Sequence, residues 1–161
     1  MKSLYIIAIC LLCCGSVSAQ QGISDLLGQL GRATGDSQKI AAYKKIIVYY
    51  STTNPDSENY YGKMAIQYTI DRKYRLGEAL ITAQLAVIDE NQGQVNIGEK
   101  RARYALGIFR ELNYLQGVGE MLHNLGSLEA GKGNFDVAMK LFYSALKVFF
   151  PGGGQLRPGL P

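Results

Sequence analysis

Displaced by 40 residues, the chain falls on itself: Tyr74 meets Tyr114, Gly77 meets Gly117, Leu85 meets Leu125 and Gly93 meets Gly133. Ala105, Leu106 and Phe109 likewise fall on Ala145, Leu146 and Phe149. A fixed period that keeps apolar, small and glycine positions in order is the mark of stacked supersecondary units, each too small to bury its own apolar face. It restricts the chain to a repeat architecture before any other property is considered.

The unit from Gly119 to Phe150 shows what repeats. Met121, Leu122, Leu125 and Leu128 share one helical stripe, Gly131-Lys132-Gly133-Asn134 breaks it, and Phe135, Ala138, Leu141, Phe142, Ala145, Leu146 and Phe149 resume it. Two amphipathic helices joined by a short turn make an antiparallel hairpin. The unit over 79–118 keeps Leu85, Ala86, Gly93, Gly98, Ala102 and Ala105 at matching places. The unit over 39–78 is degenerate, with Ile40, Tyr43, Ile46, Ile47 and Tyr50 as its stripe, Asn54-Pro55-Asp56-Ser57 as its turn, and Ala65 retained. Asp56 or Ser57 is the expected N-cap there. Ile23 to Leu30 reads as a short leading helix within 20–38.

Leu125-Gly126, Gly133-Asn134-Phe135, Ala138, Phe142 and Ala145 together resemble the tetratricopeptide (TPR) repeat signature, with Leu85, Gly93 and Ala105 as the matching positions one unit earlier. Small residues at Gly126, Ala138 and Ala145 let helices approach, while Leu125 and Phe142 fill the space between them. The resemblance covers 39–150 and implies an all-α, right-handed superhelical solenoid of helix-turn-helix repeats. Its period exceeds the usual 34 residues of the family, with the surplus placed in Asn113–Gly117 and Asp71–Gly77 as a longer second helix and exit turn. Glu129 stands where the family usually has Tyr, and Leu122 where it often has Trp. The long period and the Asn-Pro-Asp-Ser turn are similar to periplasmic sensory regions of bacterial signalling proteins, especially those of the Bacteroidota.

Residues 1–19 have the form of an export signal. Lys2 is followed by an apolar run from Leu4 to Cys14, with Tyr5 inside it, and Val17-Ser18-Ala19 offers small residues for cleavage. Leu11-Leu12-Cys13-Cys14 loosely resembles a lipobox with Cys14 as the acylated residue; Cys13 in place of Gly, Ala or Ser favours cleavage after Ala19. The run is too short to span a membrane, and no later stretch supplies the roughly 20 apolar residues needed. The expected location is therefore exported, periplasmic or at the surface of a bacterial cell. All 3 cysteines precede residue 19, so a mature chain would have neither disulfide nor thiol nucleophile.

Charge argues against nucleic acid as a partner: 17 Lys and Arg stand against 13 Asp and Glu, and Lys100, Arg101, Arg103 and Arg110 read as the solvated face of one helix. Catalytic chemistry has little to work with. The only histidine, His123, makes a Glu-x-x-His step with Glu120, but bundle metal sites need a second such step and further carboxylates. Pro151-Gly-Gly-Gly-Gln155 follows a helix and lacks the lysine of a phosphate loop. The tyrosine pairs at 49–50 and 60–61 read as alternating burial in preference to base-stacking platforms. No enzyme activity, cofactor or metal is expected.

What remains is surface. The resemblance implies a concave groove lined by the first helices, here Ile40, Tyr43, Ile47 and Tyr50, then Leu80, Ala83 and Val87, then Glu120, His123, Asn124 and Ser127. A protein or peptide partner is the expected occupant, and the alternative is the sensory input segment of a truncated or split signalling protein. Burial of Ile40, Ile47 and Leu80 by the leading helix is the competing reading. The last helix carries Leu141, Phe142, Leu146, Val148, Phe149 and Phe150, whereas repeat arrays normally end on a polar outer face. The stretch 151–161 has 4 glycines and 3 prolines and is expected to be disordered. Each large side chain left in water forgoes roughly 1.5–3 kcal/mol. That face is therefore expected to meet a second copy or a partner, or to belong to a longer array.

Overall fold

The computed structural model describes residues 22–150, so the expected export signal, Cys14 and the stretch 151–161 lie outside the described residues. Among those residues the chain is all helical, with seven helices and no strand. They are α1 (22–32), α2 (Asp36–Ser51), α3 (Pro55–Asp71), α4 (Arg75–Asn91), α5 (Val95–Glu111), α6 (Leu115–Gly131) and α7 (Phe135–Phe149).

From α4 onward every helix starts 20 residues after the one before it, and the turns explain the regularity. At 72–74, 92–94, 112–114 and 132–134 the third turn residue donates its N–H to a carbonyl five residues back: Tyr74 to Thr69, Gln94 to Asp89, Tyr114 to Phe109 and Asn134 to Glu129, all at 2.7–2.8 Å. The second donates to a carbonyl three back: Lys73 to Ile70, Gly93 to Glu90, Asn113 to Arg110 and Gly133 to Ala130. This pair of bonds is the Schellman motif, which needs a left-handed residue after the helix end. Lys73, Gly93, Asn113 and Gly133 fill that position with φ of 53°, 79°, 51° and 82°.

The turn before α3 is built differently. Asn54 Oδ1 accepts the Ser57 N–H at 3.0 Å, so Asn54 caps α3 where the sequence pointed to Asp56 or Ser57. The cause is Pro55, whose fixed φ and missing N–H suit the first helical position and start the helix two residues before an Asp56 cap would. The surplus length also differs from expectation. It is shared evenly among 17-residue helices and three-residue turns, and no single helix or turn is lengthened. The helix pairs accordingly begin at Asp36, Arg75 and Leu115, a few residues ahead of the apolar positions that suggested 39, 79 and 119.

The chain divides into two compact units, Met1–Tyr61 and Gly62–Pro161, with the boundary inside α3. In the first, Ile40, Ala42, Tyr43, Ile46 and Ile47 are buried on α2, and Lys45 Nζ donates to Gln29 Oε1 of α1 at 3.2 Å. In the second, α4 pairs with α5 and α6 with α7, and the two hairpins join through α5 and α6. Ala83, Ala102, Ala105, Leu106, Phe109, Met121, Leu125 and Ala145 form their common core, with Leu80 and Leu141 packed against it.

Small residues set the spacing. A Cβ on Gly126 would fall 2.7 Å from the Phe142 ring, one on Gly117 2.6 Å from the Phe109 ring, and one on Gly98 2.8 Å from the Ala86 carbonyl oxygen. Glu129 is buried at the α6 end, where its carboxylate accepts from Asn134 Nδ2 at 2.7 Å and from Lys132 Nζ at 3.0 Å. Lys132 also reaches Glu99 of α5, so the α6–α7 turn is tied to the neighbouring hairpin.

Candidate functional site

The candidate groove residues fall into three environments. On α2, Ile40, Tyr43 and Ile47 are buried in the core of the first unit. Tyr50 is half-buried and stacks on Tyr61 with centroids 5.5 Å apart and planes 7° from parallel. Burial raises the Tyr43 hydroxyl pKa, helped by Tyr61 and Tyr60. The tyrosine pairs thus pack edge-on within each pair and face-on between Tyr50 and Tyr61.

On α4, Ala83 is buried, while Leu80 and Val87 are half-buried. On α6, Glu120, His123 and Ser127 are exposed and Asn124 is half-buried. Glu120 Oε1 accepts from Gln116 Nε2 at 2.9 Å, and Ser127 Oγ donates to the His123 carbonyl at 3.2 Å. The His123 ring lies 5.4 Å from the Phe142 ring. Among the candidate groove residues, the exposed side chains are therefore those of α6.

Asn124 does more than face outward. Its Nδ2 donates to Glu90 Oε2 of α4 at 2.6 Å, joining the first helices of adjacent hairpins. Glu90 Oε1 and Asn124 Oδ1 are both buried without a hydrogen-bond partner. Burial pushes the Glu90 carboxyl above its usual range, the Asn124 bond opposes this, and the negative charges of Asp89 and Glu99 add to the rise. Sequence reasoning passed over Glu90 because a glutamate in the last turn of a helix reads as solvated.

Around Glu90 the charges are compensated. Arg101 Nη1 lies 2.6 Å from Asp89, and Lys132 with Arg103 holds the Glu99 carboxyl below its ordinary range. Asn134, then Lys132, does the same for Glu129. On the opposite edge Arg75 bridges Glu78 and Glu111, and Tyr104 donates to Glu78. Of the ion pairs, Arg101–Asp89 and Arg75–Glu111 join α4 to α5, and Lys132–Glu99 joins the α6–α7 turn to α5.

A second surface lies beside His123. Met139, Phe142, Tyr143 and Leu146 of α7 join it in lining an open, largely apolar pocket of about 490 Å³. The spacing of Met139, Phe142 and Leu146 could have disclosed it, since steps of three and four residues share a helix face. Among the described residues no group of His, Cys, Asp and Glu is placed to hold a metal ion, and no helix is long and apolar enough to cross a membrane. No family model, curated protein or solved structure matches the chain.

Proposed function

We propose that the protein is an exported, non-enzymatic interaction module, a TPR-type scaffold that holds a peptide or protein against its first helices. Within the Gly62–Pro161 unit, the repeats would present the first helices α4 and α6 side by side. The observation that carries this reading is the 20-residue repetition of helix and turn, with glycine-on-ring packing at Gly126–Phe142 and Gly117–Phe109. Repetition of that kind spends its sequence on stacking and leaves function to the outward side chains.

The exposed residues of α6 are the ones to test. Tyr43 is buried and Asn124 is tied to Glu90, so replacing either would disturb packing. Replacing Glu120, His123 and Ser127 together by Ala leaves the core untouched. Affinity capture from a bacterial envelope extract should recover a protein that the triple variant loses while its helical circular dichroism is unchanged. Equal recovery by both forms would remove α6 from the binding surface. Stabilisation by a small molecule in place of any protein partner would favour a sensory input segment.

A further inference from the structure

Charge is divided between the two kinds of helix in the Gly62–Pro161 unit. The first helices, α4 and α6, carry Glu78, Asp89, Glu90, Glu120 and Glu129, against which they set no Lys or Arg except Arg75. On α5 and α7 cations outnumber acids. Most of the first-helix carboxylates are matched: Arg75 meets Glu78, Arg101 meets Asp89 and Lys132 meets Glu129. Glu90 and Glu120 instead accept from neutral amides, Glu90 from Asn124 and Glu120 from Gln116. They are also neighbours. Asn124, which holds Glu90, lies one turn along α6 from Glu120. Glu90 Oε1 and Asn124 Oδ1 add two buried acceptors that no donor satisfies, yet both residues are only half-buried and lie close to the surface. Half-buried Leu80 and Val87 of α4 give the same side an apolar part.

We infer that the groove along α4 and α6 takes a basic segment of another protein, with one Lys or Arg head at Glu90 and Asn124 and a second at Glu120. Complementarity selects this occupant. The two carboxylates lack a counter-charge, and the two orphaned oxygens lack a donor; a Lys ammonium brings three donors and the charge together. A second copy is a poorer occupant, since Arg101 and Arg103 of α5 are already engaged by Asp89 and Glu99. The inference rests on the scaffold reading and adds to it the chemistry of the partner.

A random-peptide phage library panned on the full chain at neutral pH should return sequences enriched in Lys and Arg over the unselected library, although the chain's own net charge is +4. A labelled synthetic copy of the most frequent sequence should bind saturably, and more weakly as salt is added. Glu90→Gln and Glu120→Gln together should weaken it at least tenfold, whereas Asp136→Asn, a carboxylate lost from α7, should not. All three proteins should share one circular dichroism spectrum; should the double change alter it, Glu120→Gln alone, at an exposed site, repeats the comparison. Binders without a basic preference, or binding indifferent to the double change, overturn the inference and leave the scaffold reading in place. An empty selection overturns both. A wild-type dimer that the double change dissociates also overturns the inference, because the cations would then come from a second copy.

Discussion

Glu90 and Asn124 meet through one short hydrogen bond and keep two buried acceptor oxygens between them. Ionised, Glu90 has no donor to offer; protonated on Oε1, it turns one of those acceptors into a donor. The carboxyl is raised by burial, so its favourable contribution is complete below the unfolded value of about 4.3 and is lost as pH rises through the higher folded value. Glu90→Gln removes that dependence and supplies an amide that can both donate and accept. It should stabilise the protein by about 1 kcal/mol at pH 7, with the gain vanishing near pH 4, as read from urea unfolding at the two pH values. A loss of stability at pH 7 would mean that the native pair depends on a charged Glu90. Nothing in the sequence marked this residue, because a buried carboxylate is recognisable only once its distant partner is known.

At the scale of the element, glycines that look alike in sequence have opposite roles. In α5, a Cβ on Gly98 would press on the Ala86 carbonyl oxygen, whereas one on Gly107 meets nothing within 4 Å. Gly107→Ala should therefore gain about 0.5–1 kcal/mol from helix propensity. Gly98→Ala should lose about 1–3 kcal/mol through overpacking against backbone that cannot yield. Denaturant midpoints of the two variants should move in opposite directions, and parallel shifts would refute the packing at Gly98. The helices and the aromatic-on-glycine contacts were legible, since Leu125, Gly126, Phe142 and Ala145 announce a period and a close approach. The turns were legible only in part. Gly93 and Gly133 advertise a left-handed residue, but Lys73 and Asn113 adopt the same conformation without a glycine to reveal it. The cap at Asn54 was missed because Asp56 and Ser57 are equally good capping residues on paper, and only the start of α3 at Pro55 decides among them.

For the whole molecule, the sequence anticipated a chain of helices and an apolar last helix, and both are present. It left Ile40 and Ile47 between groove and core and placed Tyr43 in the groove, whereas all three are core, because periodicity identifies an apolar stripe without saying which neighbour covers it. The regular turns have a mechanical consequence. Each helix with its turn is a link of one length, joined chiefly to its neighbours. Drawn out by its ends in an optical trap, the Gly62–Pro161 unit should yield in discrete extensions, each a whole multiple of one link. One link of 20 residues releases roughly 65–70 Å when taut. A single rip of the whole unit would mean that the shared core, and not the link, sets the smallest piece the chain can surrender under load.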